Sequence, residues 1–338
     1  MKILVIGGTR FLGRHFVGAA LQNHHEVTIF HRGETNTGLF PEVEEILGDR
    51  DGQTSLLTGR TWDAVVDTCG YVPRVVRQSV AALKASAGQY AFISSISVYP
   101  DFPRAGMDES TAVDVLPDND GESEDVSKYY GALKALCEDE VQQGFDGQAL
   151  IIRPGLIVGP HDPTDRFTYW PHRIAQGGEV LVPGDPNRVV QFIDVRDLAR
   201  FTLHLIEQGT SGVYHATGHP LPFSQLLVAC QAVSGRRSKL VWVSEDFLSA
   251  QGVQPWTELP LWIGEAANWP GFMEVSVQKA RAHGLQLRTV TETVRDTLAW
   301  AGKRPRDTKW LAGFTPERER ELLTAWKSSD CQPTSEVD

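Results

Sequence analysis

Two side chains of the segment SKYYGALKALCE, Tyr130 and Lys134, have the types and spacing for proton transfer. A spacing of four residues places both on one face of a helix. A tyrosine has a reference pKa of about 10 and is a poor base at neutral pH, but a neighbouring ammonium favours its phenolate. A Tyr-x-x-x-Lys pair alone usually marks a helix surface. A second set of candidate reactive residues is the pair of adjacent serines in FISSISVYP, about thirty residues earlier.

The segment GGTRFLG near the start of the chain has the glycines of a phosphate-binding turn. It follows the apolar stretch KILVIG and precedes a predicted helix, so Gly7, Gly8 and Gly13 fall where a strand passes into a helix. In a dinucleotide-binding fold the pyrophosphate lies at this helix terminus and contacts backbone amides of the turn. Arg10 stands where a further glycine is usual, so the sequence predicts a dinucleotide site with one unusual residue.

The end of the second predicted strand, FHRG, bears on which dinucleotide is bound. NAD-binding folds usually have a carboxylate there that holds the adenosine ribose, and this chain has His31 and Arg32 instead. Arg32 and Arg10 could together bind the 2′-phosphate of NADP through charge-assisted hydrogen bonds. The alternative is that Arg10 caps a helix and Arg32 is a solvated loop residue. The pattern predicts NADP as the cofactor ahead of NAD.

A third turn, GDRD, offers Asp49 as an acceptor for the adenine amine, and an ordinary turn at the end of a strand explains it equally well. The predicted cofactor-binding residues are Gly7, Gly8, Thr9, Arg10, Phe11, Leu12, Gly13, His31, Arg32, Asp49, Arg50, Thr68, Cys69, Tyr130 and Lys134.

The elements that must position these residues alternate between short apolar segments and helical ones, which is typical of a parallel sheet with crossover helices. The predicted strands are KILVIG, EVTIFHR, EEILGDR, WDAVVDTC, QYAFISSI and QALIIRPG. We predict an α/β fold with a doubly wound parallel sheet (Rossmann fold) over residues 1–160, to which residues 189–215 return.

Residues 161–327 are predicted to form mainly a smaller C-terminal α/β substrate lobe. Its clearest element is the amphipathic helix in TVTETVRDTLAWAG. The segment FIDVRDLA is predicted to start a helix with Asp197 as its cap. The polar residues 328–338 are predicted to be a disordered tail.

The bulk composition limits the classes of partner. The 338 residues carry a formal charge of −11, which disfavours nucleic acid as the main partner. The four cysteines, Cys69, Cys137, Cys230 and Cys331, lack the spacing of a metal site or a disulfide framework. No apolar run has the length of a membrane span or a signal-peptide core. A cytoplasmic protein with a small-molecule partner, no metal and no membrane contact is therefore predicted.

Several motifs in one order resemble a known family. The chain resembles the extended branch of the short-chain dehydrogenase/reductase superfamily, the NAD-dependent epimerase/dehydratase family. The resemblance extends from Met1 to about Gly302 through GGTRFLG, GDRD, SSISVY, YGALK, RPGLIVGP and QFIDVRDLA. The GGTRF pattern is similar to a sub-branch that includes plastid stem-loop RNA-binding proteins and bacterial members.

The resemblance implies roles for three residues. Counting back from Val98 and Tyr99 puts the family's catalytic serine or threonine at Ser95, with Ser94 as its neighbour. Tyr130 is then the general acid/base, Ser95 holds the substrate oxygen, and Lys134 binds the nicotinamide ribose.

Departures from the family pattern narrow the expected substrate. Family dehydratases have an Asp-Glu pair after the serine or threonine, and this chain has Ile96 and Ser97. Sugar-nucleotide members have an asparagine where Leu156 stands and an arginine where Val190 stands. A sugar 4,6-dehydratase is therefore not expected, and a nucleotide-sugar substrate is in doubt. The substrate candidates are Ser95, Arg166, Tyr169, Trp170 and Arg188, with packing of the lobe as the alternative for the aromatic pair.

The function that the resemblance implies is an NAD(P)-dependent oxidoreductase or epimerase. It would transfer hydride at a carbinol or carbonyl carbon of a sugar-like or ring-bearing substrate. The sequence does not choose between reductase and epimerase, and a homodimer through the helices around the tyrosine motif is also implied. The alternative is an RNA-binding or nucleotide-sensing protein on the same fold, which the charge of −11 disfavours.

Overall fold

The computed structural model describes residues 1–264, 268–305 and 307–329. The chain divides into two compact units. The first unit comprises residues 1–157, 191–219 and 270–287, and the second comprises residues 158–190, 220–269 and 288–338, of which the described part is treated below. Each unit is therefore built from three separate stretches of sequence.

The first unit contains a large sheet flanked by helices. The strands of this unit are β1 (Lys2–Ile6), β2 (Glu26–His31), β3 (Glu44–Leu47), β4 (Trp62–Asp67), β5 (Ala87–Ile93), β6 (Ala149–Pro154), β10 (Phe192–Asp194) and β11 (Gly212–Ala216). Strand β7 (Leu156–Val158) has its first two residues in this unit and its last in the other. The helices of the first unit are α1 (Phe11–Gln22), α2 (Pro73–Leu83), α3 (Val126–Gly144), α5 (Val195–Glu207) and α8 (Gln278–Ala282).

Seven strands form one parallel sheet in the order β11-β6-β5-β4-β1-β2-β3. The chain order reverses between β1 and β4, which is the switch point where a doubly wound sheet binds its ligand at the carboxyl ends of the strands. The predicted α/β Rossmann fold is confirmed, and the six predicted strands are the first six of the chain.

The strands are apolar because helices cover both faces of the sheet. Residues 3–6 of β1 are almost fully buried, as expected for the centre of a parallel sheet. Helices α1 and α5 contribute Phe16, Val17 and Leu198 to the core on one face. Helices α2 and α3 contribute Val80 and Val141 to the core on the other. Both faces of the sheet are closed in this way, and the turns at its ends carry the polar residues.

The second unit combines short strands with helices. Its strands are β8 (Gly178–Pro183), β9 (Val189–Val190), β12 (Leu221–Pro222) and β13 (Ser238–Val243), and its helices are α4 (Tyr169–Ala175), α6 (Phe223–Ser234), α7 (Glu245–Ala250), α9 (Val290–Ala301) and α10 (Pro316–Lys327). Strand β13 pairs with β8 in parallel. Helix α9 begins with a capping box between Thr289 and Glu292, which confirms the amphipathic helix predicted there.

Three boundaries differ from the sequence-based ones. Residues 270–287, assigned above to the substrate lobe, belong to the first unit, because Gln191 donates hydrogen bonds to the carbonyls of Gly218 and Val275 and joins the two returning stretches. Asp194, not Asp197, caps α5, since its carboxylate accepts from the amide of Arg196. The predicted tail lies outside the described residues from position 330 onward.

In the part of the chain that the structure describes, no helix has the length and apolar character to cross a bilayer. The three cysteines that lie within it, Cys69, Cys137 and Cys230, form no disulfide.

Candidate active site

The turn between β1 and α1 has no room for side chains at two of its glycines. A Cβ on Gly7 would lie 2.3 Å from Oγ1 of Thr68, and a Cβ on Gly13 would lie 2.6 Å from the amide nitrogen of Gly8. Gly7 also has a φ of +103°, a conformation that favours glycine. The glycines therefore allow a tight passage from β1 into α1, the place where a dinucleotide-binding fold holds its pyrophosphate.

The first turn of α1 follows this passage. Arg10 is the residue before the helix, and its side chain makes no capping hydrogen bond. It is exposed, and its charge opposes only part of the rise that burial causes in the pKa of Tyr71, in the loop after β4. The clamp of Arg10 and Arg32 on a 2′-phosphate stays a prediction. Nearby, Thr9 and Leu12 are buried, while Phe11 has a φ of +35°.

The end of β2 carries the two residues that replace the usual carboxylate. His31 is buried, its Nδ1 accepts from the amide of Gly33, and its Nε2 lies 3.3 Å from Glu45 of β3. Arg32 is exposed and pairs with Glu34 at 2.9 Å. The end of β2 thus has no carboxylate of its own, and the carboxylate of Glu45 on β3 lies next to the His31 ring.

The GDRD turn after β3 separates into one exposed and one internal residue. Asp49 stays near the surface, where its Oδ1 accepts from the amide of Asp51 at 2.9 Å. Arg50, predicted to bind the cofactor, instead turns inward and makes two hydrogen bonds of 2.7 Å with Asp67 and one of 3.0 Å with Ser79. That prediction is wrong for its side chain, because the buried carboxylate of Asp67 is a stronger partner than solvent.

Burial alone would raise the pKa of Asp67, but the guanidinium of Arg50 holds it below its ordinary value. The hydroxyl of Tyr90 and the amide of Cys69 also donate to this carboxylate. Thr68 donates to the carbonyl of Ile6 at 2.9 Å, and the Cys69 thiol lies 3.6 Å from the same oxygen. The loop after β4 is therefore fixed to the end of β1, beside the glycine turn.

Ser95 and Tyr130 meet where β5 ends and α3 begins. The Ser95 hydroxyl lies close enough to Tyr130 to lower its pKa. Ser95 Oγ donates to Oγ of Ser97 at 3.1 Å and accepts from the amide of Ser97 at 3.0 Å. Gly131 makes the approach possible, because a Cβ there would lie 2.0 Å from the carbonyl oxygen of Ser97. Ser94 is buried and its amide bonds to the carbonyl of Ile152, which leaves Ser95 as the exposed member of the pair.

Lys134 is buried one helical turn after Tyr130. Its Nζ donates to the carbonyl of Gly70 at 2.7 Å and to that of Ile93 at 2.6 Å. Burial lowers the pKa of Lys134 to about 8. Burial also raises the pKa of Tyr130, and the neighbouring Ser95 hydroxyl only partly opposes this. The neighbouring ammonium alone therefore does not bring the pKa of Tyr130 below its ordinary value, and the phenol is protonated at neutral pH.

Sequence reasoning missed Tyr71. Its ring centroid lies 6.4 Å from that of Tyr130 and 5.4 Å from Nζ of Lys134, and 46% of the residue is exposed. Burial of the hydroxyl, followed by the neighbouring Tyr130, raises the pKa of Tyr71 to about 12. An aromatic residue in the turn after β4, one position beyond the Gly70 carbonyl that Lys134 binds, is the signal that could have found it.

A buried polar chain supports the serine turn from behind. Arg153 pairs with Glu138 at 2.6 Å and donates to the hydroxyl of Tyr99 at 2.8 Å. That hydroxyl lies 2.6 Å from Nε2 of His215, whose Nδ1 is 3.0 Å from the carbonyl of Ser276. Burial lowers the pKa of His215, so the neutral ring accepts from Tyr99. The chain links α3, β6 and β11 to the residues that follow Ser95.

A model of the NAD dependent epimerase/dehydratase family matches residues 59–216, the stretch that contains Ser95, Tyr130 and Lys134. Over these 158 of the 338 residues the chain is similar to the NAD-dependent epimerase/dehydratase family. The resemblance stated from the motifs is thereby confirmed. A nicotinamide dinucleotide is the ligand that this likeness leads us to expect, and the tight glycine turn before α1, which precedes the matched residues, fits it.

Two curated proteins that are similar to this chain differ in the function that their names state. The chloroplast stem-loop binding protein of 41 kDa b from Arabidopsis thaliana is 26% identical over 256 residues, which cover 69% of this chain and 63% of that protein. The chain thus spans less than two thirds of this relative's length. The 2-alkyl-3-oxoalkanoate reductase of Stenotrophomonas maltophilia is 28% identical over 265 residues, 70% of this chain and 76% of the reductase.

Among solved structures, UDP-glucuronic acid 4-epimerase from Bacillus cereus in complex with NAD has the same fold as this chain. The TM-score is 0.65 at 17% identity, with 90% of this chain and 99% of the epimerase covered. At this identity the likeness shows the fold.

The substrate candidates of the second unit do not share one environment. Trp170 is fully buried, donates to the carbonyl of Pro260 at 3.0 Å and packs edge-on against Phe223. Tyr169 is also buried, and its ring lies where a Cβ on Gly313 would be. Both aromatic side chains therefore pack the interior of the unit, and their assignment to substrate is wrong.

Arg188 is partly buried and forms an ion pair with Glu245, so its guanidinium is engaged within the unit. Arg166 is half-buried over the ring of Trp256 at 5.3 Å. Among the described residues, no group of three or more histidine, cysteine or acidic side chains is arranged to hold a metal ion.

Proposed function

We propose that this protein is an NAD(P)-dependent oxidoreductase or epimerase that acts at a carbinol or carbonyl carbon of a small ring-bearing substrate. One observation carries the proposal, namely that Ser95 approaches Tyr130 at the start of the helix that carries the buried Lys134, in the unit that also contains the glycine turn. A protein that only bound nucleic acid would have no need for a buried ammonium, because burial of a charge is costly.

Each of the three residues has one role in this proposal. Ser95 binds the substrate oxygen, and Tyr130 exchanges the proton on that oxygen as the general acid/base. The protonated phenol is the state required to give a proton to a carbonyl oxygen, and burial favours that state. Lys134 has two of its three protons in bonds to backbone carbonyls, which leaves one for the nicotinamide ribose. The bound dinucleotide supplies or accepts the hydride.

For the cofactor we propose NADP ahead of NAD, with Arg32 as the discriminating residue. Its pair with Glu34 is a surface ion pair, and such pairs contribute only about 0–1 kcal/mol. A 2′-phosphate could therefore displace Glu34. Glu45 behind His31 supports the opposite choice, because a carboxylate at this strand end favours a ribose diol. The Bacillus cereus epimerase was solved with NAD, and NAD is the outcome that would overturn this choice.

The first experiment is native mass spectrometry of the freshly purified protein, followed by identification of any released nucleotide. Retained stoichiometric cofactor would support an epimerase, which returns its hydride and need not release the dinucleotide. An empty protein that binds NADPH or NADH and then reduces a carbonyl substrate would support a reductase. Binding of neither dinucleotide would overturn the proposal.

A second candidate function rests on the Arabidopsis stem-loop binding protein. RNA binding would require neutralisation of phosphates and would weaken steeply with salt. The charge of −11 opposes it. A gel-shift titration with a stem-loop RNA at two salt concentrations tests this candidate, and tight, salt-dependent binding without dinucleotide binding would favour it over the enzyme.

We also propose a cytoplasmic location and a homodimer that forms through the helices around Tyr130. The family resemblance supports the dimer, and sedimentation equilibrium with fractionation of cells expressing the protein tests both.

A further inference from the structure

Arg166 is a half-buried cation whose guanidinium has no hydrogen-bond acceptor among the residues that the structure describes. Its guanidinium carbon lies 5.3 Å from the ring centroid of Trp256, in a cation–π arrangement. Burial lowers the pKa of Arg166 below its ordinary value. Burial thus removes part of the water from this guanidinium, and no residue within the described ranges supplies a hydrogen-bond acceptor in return.

Other arginines of the second unit are treated differently. Arg173 pairs with Glu319 at 2.6 Å, and its two remaining nitrogens donate to the carbonyls of Gly177 and Glu179. Arg304 pairs with Asp165 at 2.5 Å and lies over the ring of Trp310 at 4.6 Å. An arginine that holds this unit together therefore has a carboxylate partner, and Arg166 stands apart from that pattern.

The carboxylate whose charge acts on Arg166, that of Asp162, forms no ion pair with it. Asp162 is buried, and its Oδ1 accepts from the amide and the hydroxyl of Thr164. Burial raises the pKa of Asp162, and the charge of Arg166 only partly opposes this. The two residues influence each other through space without an ion pair. The five donors of the Arg166 fork therefore remain available to a ligand.

We propose that Arg166, backed by Trp256, binds an oxyanion of the ligand of the second unit, a carboxylate or a phosphate. The planar guanidinium matches the two oxygens of either group, and the flat indole behind it fixes the plane of the fork. The inference rests on the proposed function for the identity of that ligand as the substrate. It adds that the substrate is an anion.

The test is a titration of the full-length protein with inorganic phosphate and, separately, with glucuronate, followed by tryptophan fluorescence at constant ionic strength. A single bidentate contact predicts dissociation constants in the range of about 1–10 mM. Trp256→Phe identifies the fluorescence change as local, and sodium chloride at matched ionic strength removes general screening. A preference for phosphate or for glucuronate tells which oxyanion the site takes.

Arg166→Met retains the aliphatic stem and should weaken binding at least ~tenfold. Arg166→Lys keeps the charge but not the fork, and should bind with intermediate affinity. Arg236→Met removes an exposed arginine of the same unit and should bind as the wild type. Unchanged binding in Arg166→Met, or no binding by the wild type up to about 10 mM, would overturn the inference. Neither measurement contains a dinucleotide, so its failure leaves the hydride-transfer proposal intact.

Discussion

Arg50 in the first unit and Arg166 in the second are two arginines withdrawn from solvent with opposite surroundings. Arg50 is bonded to both oxygens of Asp67 and to Ser79. Arg166 lies on Trp256 without an acceptor in the described part of the chain. The motif around Arg50 predicted a ligand contact and the structure gives it a structural one. Surroundings, rather than residue type, separate a charge that stabilises a fold from one that meets a ligand.

The same contrast appears at the reaction site. Lys134 and Asp67 have their hydrogen bonds within the protein. Tyr130 and Arg32 present groups that a ligand can reach. Substitutions in the first group should change stability, and for Lys134 also remove the donor proposed for the ribose. Substitutions in the second group should change ligand binding or turnover while the fold is retained. Four measurements test this division.

The largest effect is expected for Tyr130→Phe. It removes only the hydroxyl that exchanges the proton, so kcat should fall roughly 10²- to 10⁴-fold. Dinucleotide affinity and the thermal midpoint should stay at wild-type values. Steady-state kinetics and a nucleotide titration on the same preparation measure both. Retained turnover would remove Tyr130 from its role.

Asp67→Asn should destabilise the first unit by about 3–5 kcal/mol, because it leaves the buried Arg50 charge without its counter-ion. Urea unfolding measures the change. Asp51→Asn is the matched control, since Asp51 pairs with Arg74 at the surface and its loss should have no measurable effect on unfolding. Equal stability of the two variants would mean that the buried Asp67–Arg50 pair contributes no more to stability than a surface pair does.

A pH titration of stability sharpens the assignment of Lys134. Its pKa falls from 10.5 to about 8 in the folded state because of burial. Between these values the unfolded chain binds more protons than the folded one, so the free energy of unfolding should rise with pH. The rise relative to Lys134→Met should total about 3 kcal/mol between pH 8 and 10.5. Groups common to both proteins cancel in this difference, and a flat difference would mean that the ammonium is solvated.

The smallest effect is expected for Arg32→Ala, which should weaken NADP binding about tenfold and leave NAD binding unchanged. Isothermal titration with both dinucleotides measures it. Arg60→Ala is the control, because Arg60 is also exposed and paired with a surface glutamate, Glu44. If both dinucleotides bind Arg32→Ala as they bind the wild type, Arg32 does not contact the 2′-phosphate.

The sheet and its order of elements were predictable because each buried strand is a short apolar run that ends in a turn. Ser95, Tyr130 and Lys134 were brought together as predicted from the motifs. Their spacing could not show that Lys134 donates to the Gly70 and Ile93 carbonyls. The partner of a buried cation comes from distant sequence, and the pKa of Tyr130 followed burial rather than the nearest charge.

The errors share one cause, which is competition from partners that a linear pattern does not contain. Arg50 turned inward because it pairs with Asp67 at the end of β4, which lies two strands beyond β2, the neighbour of β3 in the sheet. Trp170 packed against Phe223 because α4 and α6 meet in the second unit. Asp194 caps α5, and Asp197, three residues later, instead pairs with Arg200. Tyr71 was missed because its place beside Tyr130 depends on the loop after β4.

The alternation of the two units along the sequence has a consequence during synthesis. Strand β11 is made only after residues 158–190 of the other unit, and residues 270–287 follow later still. A nascent chain of about 160 residues therefore lacks the outermost strand of its sheet, and the unpaired edge of β6 is open to association with other chains. Ribosome-bound or truncated products of this length should need a chaperone to stay unaggregated, whereas a chain that extends past residue 287 contains every strand of this sheet.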